Sequence, residues 1–348
     1  MNNQVSAFFC IVMAFFYIAI LFIFSDYIQQ MHLDGHAYWF ASDPGEYLRL
    51  YSIYKELGGL SDNFYRLIIV GVPIIMLQIT GGLVFPILAF AIIVFFFSLY
   101  SCLKYLRFRS RGLFLFLMLI NPVVFLGFFA VNKEIFMISS MLFFLAYYNS
   151  LNWRYLLLCF FALFFSRMYI LVVYAFVYIV FPPGYKTIRW SFLIFSLISV
   201  NFLAPLVLTS GKFGTSSSLL DGAGVGAVYF AEAIRHYLYA IIYFPKYVFL
   251  IVMRIQSVLV HGFLGEYKSN LRDFLTSIYS LFIISYSILR VHKVKSYGFK
   301  FLMIAIWSPF PLMFSDIVHW RYYIFVLPIF IIYPIMKDSK ENHKSHIL

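Results

Sequence analysis

Apolar runs, most of them long enough to cross a bilayer, recur from one end of this chain to the other with short basic clusters between them. They fall at 5–24, 83–103, 113–131, 135–149, 155–166, 168–182, 190–209, 272–290, 300–315 and 323–336. A bilayer core is about 30 Å thick and takes about 20 apolar residues per helix. Of the 348 residues, 63% are hydrophobic and 11% are charged, against about 25% charged in a soluble domain. The pattern predicts an all-α polytopic membrane protein with about ten transmembrane helices. It excludes a soluble globular enzyme, a disordered chain and a fibrous protein. A membrane barrel is excluded as well, because the apolar/polar alternation of barrel strands is missing.

The first run, Val5 to Phe24, is too long for a secretory h-region and is followed by no small-residue cleavage site. It reads as a retained first span. Sidedness follows from the bases. Lys104, Arg107, Arg109 and Arg111 form one cluster, and Lys186 with Arg189 a second. Arg290, Lys293, Lys295 and Lys300 form a third, and Lys337, Lys340 and Lys344 a fourth. Placed in the cytoplasm with Arg154, these bases face only two acids there, Asp338 and Glu341. The net charge of +12 then sits wholly on the cytoplasmic side, and the outer side is balanced. The charge therefore marks topology and not a nucleic-acid partner. Two apolar stretches must not cross, or the alternation fails. Arg66 to Thr80 reads as a re-entrant or interfacial helix ending at Gly81-Gly82, and 237–264 as part of an external region dipping into the membrane. The expected organisation is one transmembrane domain, 1–348, with external loops 26–65 and 210–271 and a cytoplasmic tail 337–348. No repeat of fixed period is present. Cys10, Cys102 and Cys159 each lie in an apolar run and read as small buried hydrophobes, with no disulfide set and no metal site.

Five groups of residues can carry chemistry. In the acidic loop 26–65, Ser42 or Asp43 can cap a helix with Pro44 in its first turn and Glu46 near its third position. Asp43, Glu46 and Tyr47 then cluster at one helix end, with Tyr51 on the Tyr47 face. The arrangement suits either a capping box on a surface helix or a carboxylate aimed at a membrane-level cavity. Asn121-Pro122 kinks a span and frees a carbonyl, and Asn132-Lys133-Glu134 follows in a tight external turn. Lys133 there is either an interfacial partner of Glu134 or an anion ligand. Arg167 separates two short runs, where an arginine either snorkels or faces a ligand. Arg235, His236, Lys246, Arg254, His261, Lys268 and Arg272 make the dipping region cationic. That suits a phosphate or pyrophosphate, or anionic lipid beneath a peripheral helix. Asp316, His319, Trp320, Arg321, Tyr322 and Tyr323 crowd the turn before the last run, as an aromatic belt or as a sugar and phosphate site. Walker, HExxH, GxSxG and CxxC patterns are missing, so no nucleotide, metal or other cofactor is expected.

The order of these features resembles a family. A first span leads to an acidic loop with Asp43, Tyr47 and Tyr51 in a D-x-x-x-Y-x-x-x-Y pattern, then to an apolar dipping helix. A polar turn, Asn132-Lys133-Glu134, precedes a paired span, a hairpin with Ser166-Arg167 at its centre follows, and isolated arginines come late. This is similar to the bacterial oligosaccharide repeat-unit polymerases, the O-antigen polymerase (Wzy) and EpsG-like group. The EpsG-like group often has Arg-Gln where this chain has Lys133-Glu134, and a histidine where it has Arg167. His319 to Tyr323 with Pro328 also resembles the late R-Y-x-x-x-x-x-P motif of GT-C glycosyltransferases, and Asp43 resembles the loop aspartate of that superfamily. The resemblance implies a GT-C-like or Wzy-like fold in a bacterial inner membrane with an external, periplasmic active face. It implies glycosyl transfer from an undecaprenyl-diphosphate-linked glycan to a lipid-linked repeat unit, with membrane lipid and a chain-length regulator as further partners. Asp43, Glu46 and His319 are the expected catalytic groups. Tyr47, Lys133, Arg167, Arg235, Arg254, Arg321 and Tyr322 are the expected substrate-binding groups. A transferase using a polyprenyl-monophosphate sugar and a lipid-linked oligosaccharide flippase are the alternatives.

Overall fold

A computed structural model of the chain describes residues 2–41, 44–56, 72–183, 188–209, 248, 251–252, 254–260, 262, 271–290, 296–314 and 320–336. Among these residues the fold is all-helical and contains no strand.

Helix α1 (Asn3–Ile23) breaks at Phe24 and continues at once as α2 (Ser25–Leu33). A 3-10 turn, His36–Trp39, leads to α3 (Pro44–Glu56). Pro44 stands at the first described position of α3, a place that suits proline, which is pre-set for a first turn. The expected cap, Ser42 or Asp43, lies outside the described residues. Helix α4 is described over Val72–Ile79; residues 66–71 of the expected 66–80 segment lie outside the described residues. The helix ends in Gly81 (φ +65°) and Gly82 (φ +89°), left-handed conformations that only glycine adopts cheaply. A Cβ on Gly82 would meet the Tyr51 ring at 3.0 Å, so the turn is also packed tightly against α3.

Helix α5 (Phe85–Tyr105) runs the depth of the bundle. Next come α6 (Arg111–Ile120) and the short α7 (Pro122–Phe125), bent by 61° at the expected Asn121-Pro122 break. The bend leaves the Leu117 carbonyl free of the helical bond that residue 121 would donate to it. The Tyr279 hydroxyl donates to it instead, at 2.6 Å. Helix α8 (Glu134–Ser150) is the centre of the molecule. Every residue from Glu134 to Ala146 is buried, as expected of a helix that is apolar all round. It packs on α5, on α9 (Trp153–Phe164), and on the 3-10 helix Trp320–Val326. Then follow α10 (Ile170–Val180), α11 (Trp190–Thr209), α12 (Leu271–Leu289), α13 (Ser296–Trp307) and α14 (Leu327–Ile335).

The expected ten spans are met only in part. Among the described residues, α1 and α5 are each long and apolar enough to cross a membrane, and α6 with residues 122–129 makes a third if the bent pair is one span. Helices α9 and α10 have 12 and 11 residues, under about 20 Å each. The apolar runs count residues that the backbone spends on other shapes. The run 168–182 includes the turn before α10, 300–315 ends in the 3-10 helix Phe310–Phe314, and 323–336 begins in the 3-10 helix Trp320–Val326. The outward side of the bundle is nonetheless apolar. Phe8, Phe15 and Phe22 of α1, Phe161 of α9, Phe195 of α11 and Phe282 of α12 all stand exposed. An exterior of that kind suits lipid.

Side-chain contacts sort the helix ends into two groups. At one end, Gln29 bonds the Gly82 carbonyl and the Val84 N–H, His32 bonds Val131, and Glu134 meets Arg272. At the other end, Tyr155 bonds Tyr105 at 3.3 Å and Arg109 donates its backbone N–H to the Ile335 carbonyl at 2.8 Å. There too the Tyr148 hydroxyl donates to the Phe181 carbonyl. Lys300, fully buried, donates to the Pro182 carbonyl and lies 5.1 Å from the Tyr148 ring centre. Lys104, Arg109, Arg111, Arg154, Arg189, Arg290 and Lys300 all belong to this second end by their places on these elements. The described bases of the clusters counted along the sequence therefore share one end; Lys186, Lys293, Lys295, Lys337, Lys340 and Lys344 lie outside the described residues.

Candidate functional site

The first end of the bundle holds a buried charged cluster. It is built around the N-terminus of α8, where the chain turns out of the 3-10 helix Gly127–Phe129. Asn132 shapes that turn. Its side-chain amide donates to the Gly127 carbonyl at 2.7 Å and to the Ala130 carbonyl at 2.8 Å, and its oxygen accepts from the Ile135 N–H at 3.1 Å. An asparagine in this position satisfies donors of the first helical turn that have no partner within the helix. Gly127 allows the approach, since a Cβ there would stand 3.0 Å from the Asn132 amide nitrogen.

The turn delivers Lys133 and Glu134 inward, 5% and 3% exposed. The Lys133 ammonium lies 5.7 Å from the centre of the Tyr47 ring, within cation–π range. Tyr47 is buried on α3, one residue after Glu46. Glu134 meets Arg272, the second residue of α12, at 3.5 Å. Arg272 has no exposed surface and also donates Nη2 and Nε to Asp273 Oδ1 at 2.9 and 3.2 Å. Two bases and two carboxylates thus share one buried end of the bundle, from two elements far apart in sequence, the start of α8 and the start of α12. A buried charge is tolerated only when paired in this way.

A histidine secures the turn from outside. His32, on α2, is 1% exposed. Its Nδ1 donates to the Ile28 carbonyl at 2.8 Å, and its Nε2 accepts from the Val131 N–H at 3.2 Å. Burial holds the ring below its ordinary imidazole pKa, and the Ile28 carbonyl opposes that shift.

Of the expected site residues, Tyr47 and Lys133 are brought together. Glu46 lies in the first turn of α3, next to Tyr47, with its backbone alone described. Arg167 is partly buried in the turn between α9 and α10, its carbonyl accepting from Ile170 at 3.1 Å. Arg254 is partly buried in the helical stretch 254–260. Arg321 and Tyr322 lie on the 3-10 helix Trp320–Val326, which packs on α8, with their backbones alone described. Asp43, Arg235 and His319 lie outside the described residues. The structure sets Lys133 over Tyr47 and Glu134 against Arg272. The sequence reading did not single out His32 or Asp273. It counted Arg272 only among the cations of the dipping region. Cys10, Cys102 and Cys159 are buried free thiols, as expected.

Set against known proteins, the chain matches no family model, no curated protein and no solved structure.

Proposed function

We propose that this chain is a membrane glycosyltransferase that polymerises lipid-linked oligosaccharide repeat units of O-antigen or capsule type. The observation that supports it most is the buried cluster of Lys133, Glu134, Arg272 and Asp273 beside Tyr47 at one end of an apolar bundle. That end is opposite the described bases Lys104, Arg109, Arg111, Arg154, Arg189, Arg290 and Lys300. If those bases face the cytoplasm, the charged cluster faces outward, where lipid-linked repeat units are joined.

The reaction needs two kinds of group. A hydroxyl oxygen of the acceptor repeat unit attacks the anomeric carbon of the glycan carried on undecaprenyl diphosphate. The bond from that carbon to the diphosphate oxygen breaks, and its electron pair leaves with the lipid diphosphate. Lys133, with Arg167, Arg235, Arg254 and Arg321 as further cations, stabilises the charge gathering there. A carboxylate accepts the hydroxyl proton, Asp43 first and Glu46 second, with His319 in reserve. Tyr47 holds the lysine, and Tyr322 offers a ring face to sugar. No nucleotide is consumed, in keeping with the missing nucleotide motifs.

The test is the surface glycan of a strain lacking this protein. A polymerase predicts loss of long chains with one repeat unit retained. Loss of one sugar from each repeat would indicate a single-sugar transferase, and loss of all surface glycan a flippase. Returning Asp43→Asn and Asp43→Ala then tests the base. Asparagine caps a helix about as well as aspartate but cannot take the proton, a contribution of about 10²–10⁴-fold. Both variants should fail at normal protein level. Full polymerisation by Asp43→Asn would move the base to Glu46 or His319.

A further inference from the structure

His32 takes no part in the chemistry proposed above, yet both of its ring nitrogens are engaged in the protein interior. The Ile28 carbonyl can only accept, so Nδ1 carries the proton. The Val131 N–H can only donate, so Nε2 carries none. The ring is neutral and held in one tautomer. Val131 opens the turn that continues as Asn132, Lys133 and Glu134. Asn132 closes that turn upon itself, whereas His32 ties it to an element 99 residues earlier. The same block of α2 and α3 carries Tyr47, over which Lys133 sits.

We infer that His32 is a positioning residue whose bare Nε2 sets the Lys133–Glu134 turn against Tyr47 and Arg272, and does so only while the ring is neutral. The inference rests on reading that cluster as the glycosyl-transfer site. Protonation places an N–H on Nε2, opposite the Val131 N–H. Two donors then face each other and the tie opens.

The elements packed around α2 are α1, α3, α5, the 3-10 turn His36–Trp39 and the turn before α8. Their described titratable and charged side chains are Cys10 and Tyr17 on α1, Tyr38 and His36 on the 3-10 turn, and Tyr47, Arg49, Tyr51, Lys55 and Glu56 on α3. Lys133 and Glu134 belong to the turn, Tyr27 and Asp26 to α2 itself, and Asp34 follows its last residue. On α5, Tyr100, Cys102, Lys104 and Tyr105 lie towards the opposite end of the bundle. Burial lowers the pKa of His32, and the Ile28 carbonyl opposes the shift. Because the folded value is lowered, the tie is fully present above the ordinary imidazole pKa of about 6.5 and is lost as pH falls through the lowered value.

Hydrogen exchange of the full chain in lipid nanodiscs reads the tie directly. Val131 protection, corrected for intrinsic exchange, should fall about tenfold from neutral to acid pH, as for loss of one hydrogen bond. In His32→Gln it should stay high throughout, because the glutamine oxygen accepts where Nε2 did and does not titrate. In His32→Ala it should be low at every pH. Exchange around Tyr148, at the other end, should not follow. Protection at Val131 that ignores pH, or that falls equally in His32→Gln, overturns the inference. If His32→Ala fails to accumulate, the parent chain and His32→Gln still decide. Glycan length is a separate readout. His32→Gln cells should keep long chains in acid medium where the parent shortens them. A pH-linked, glutamine-rescued Val131 with no effect of this protein on any glycan would keep the tie and remove the polymerase reading.

Discussion

Arg272 has more to satisfy than any other side chain described. It is wholly buried and is shared between Glu134 and Asp273. Removing one member of a buried pair strands the other charge, at a cost of about 3–5 kcal/mol, whereas replacing the whole set by apolar groups can be neutral. Arg272→Met should therefore lower the melting temperature of the purified protein sharply. Arg272→Met with Glu134→Met and Asp273→Leu should recover most of the loss and still be inactive. Equal stability of Arg272→Met and the parent would mean that the arginine is solvated and the cluster open. Lys133 stood out in the sequence because a base on the outer side defies the positive-inside trend. Tyr47 stood out as well, on the acidic loop, but their pairing did not, because joining α3 to the turn before α8 needs the tertiary fold. His32 carried no local signal at all: one histidine in a short polar helix matches no motif.

At the scale of elements, the punctuation was legible and the lengths were not. Gly81-Gly82 ends the α4 segment and Asn121-Pro122 breaks an apolar run, each as local backbone chemistry requires. The runs at 155–166 and 168–182 form apolar helices, α9 and α10, of 12 and 11 residues, shorter than a full span. The kink also creates a dependence between distant elements. Tyr279 on α12 satisfies the Leu117 carbonyl that the break releases. Tyr279→Phe leaves that carbonyl buried without its donor, at about 1–3 kcal/mol. Chemical denaturation in detergent should show that loss, and Tyr286→Phe, on the outer part of the same helix, should show almost none. Equal effects would mean that the bond carries no weight.

Across the whole molecule, the described bases of the sequence clusters and the buried cluster lie at opposite ends of the bundle. Lys104, Arg109, Arg111, Arg154, Arg189, Arg290 and Lys300 share the end that joins Tyr105 to Tyr155 and Lys300 to Pro182. The described acids of the loop, Asp26, Asp34 and Glu56, belong with the buried cluster to the other end. Single cysteines test this in cells, on a background without Cys10, Cys102 and Cys159, whose burial makes them unreactive. Asp34→Cys and Ser110→Cys are both exposed positions at opposite ends. A membrane-impermeant reagent should label the first in intact cells and the second only after lysis. The reverse pattern would turn the proposed active face towards the cytoplasm.

Two buried lysines allow the most direct test that the cluster end is the reactive one. Lys133 lies over Tyr47 at that end, and Lys300 lies over Tyr148 at the other. Both are nearly or fully shielded from solvent, so Lys→Met removes a comparable buried charge at each. The measurement is the glycan chain-length ladder of a deletion strain carrying either variant, at matched protein level in the membrane. Lys133→Met should leave single repeat units, and Lys300→Met should retain long chains. Long chains with Lys133→Met, or their equal loss in both variants, would contradict the assignment of glycosyl transfer to this end of the bundle.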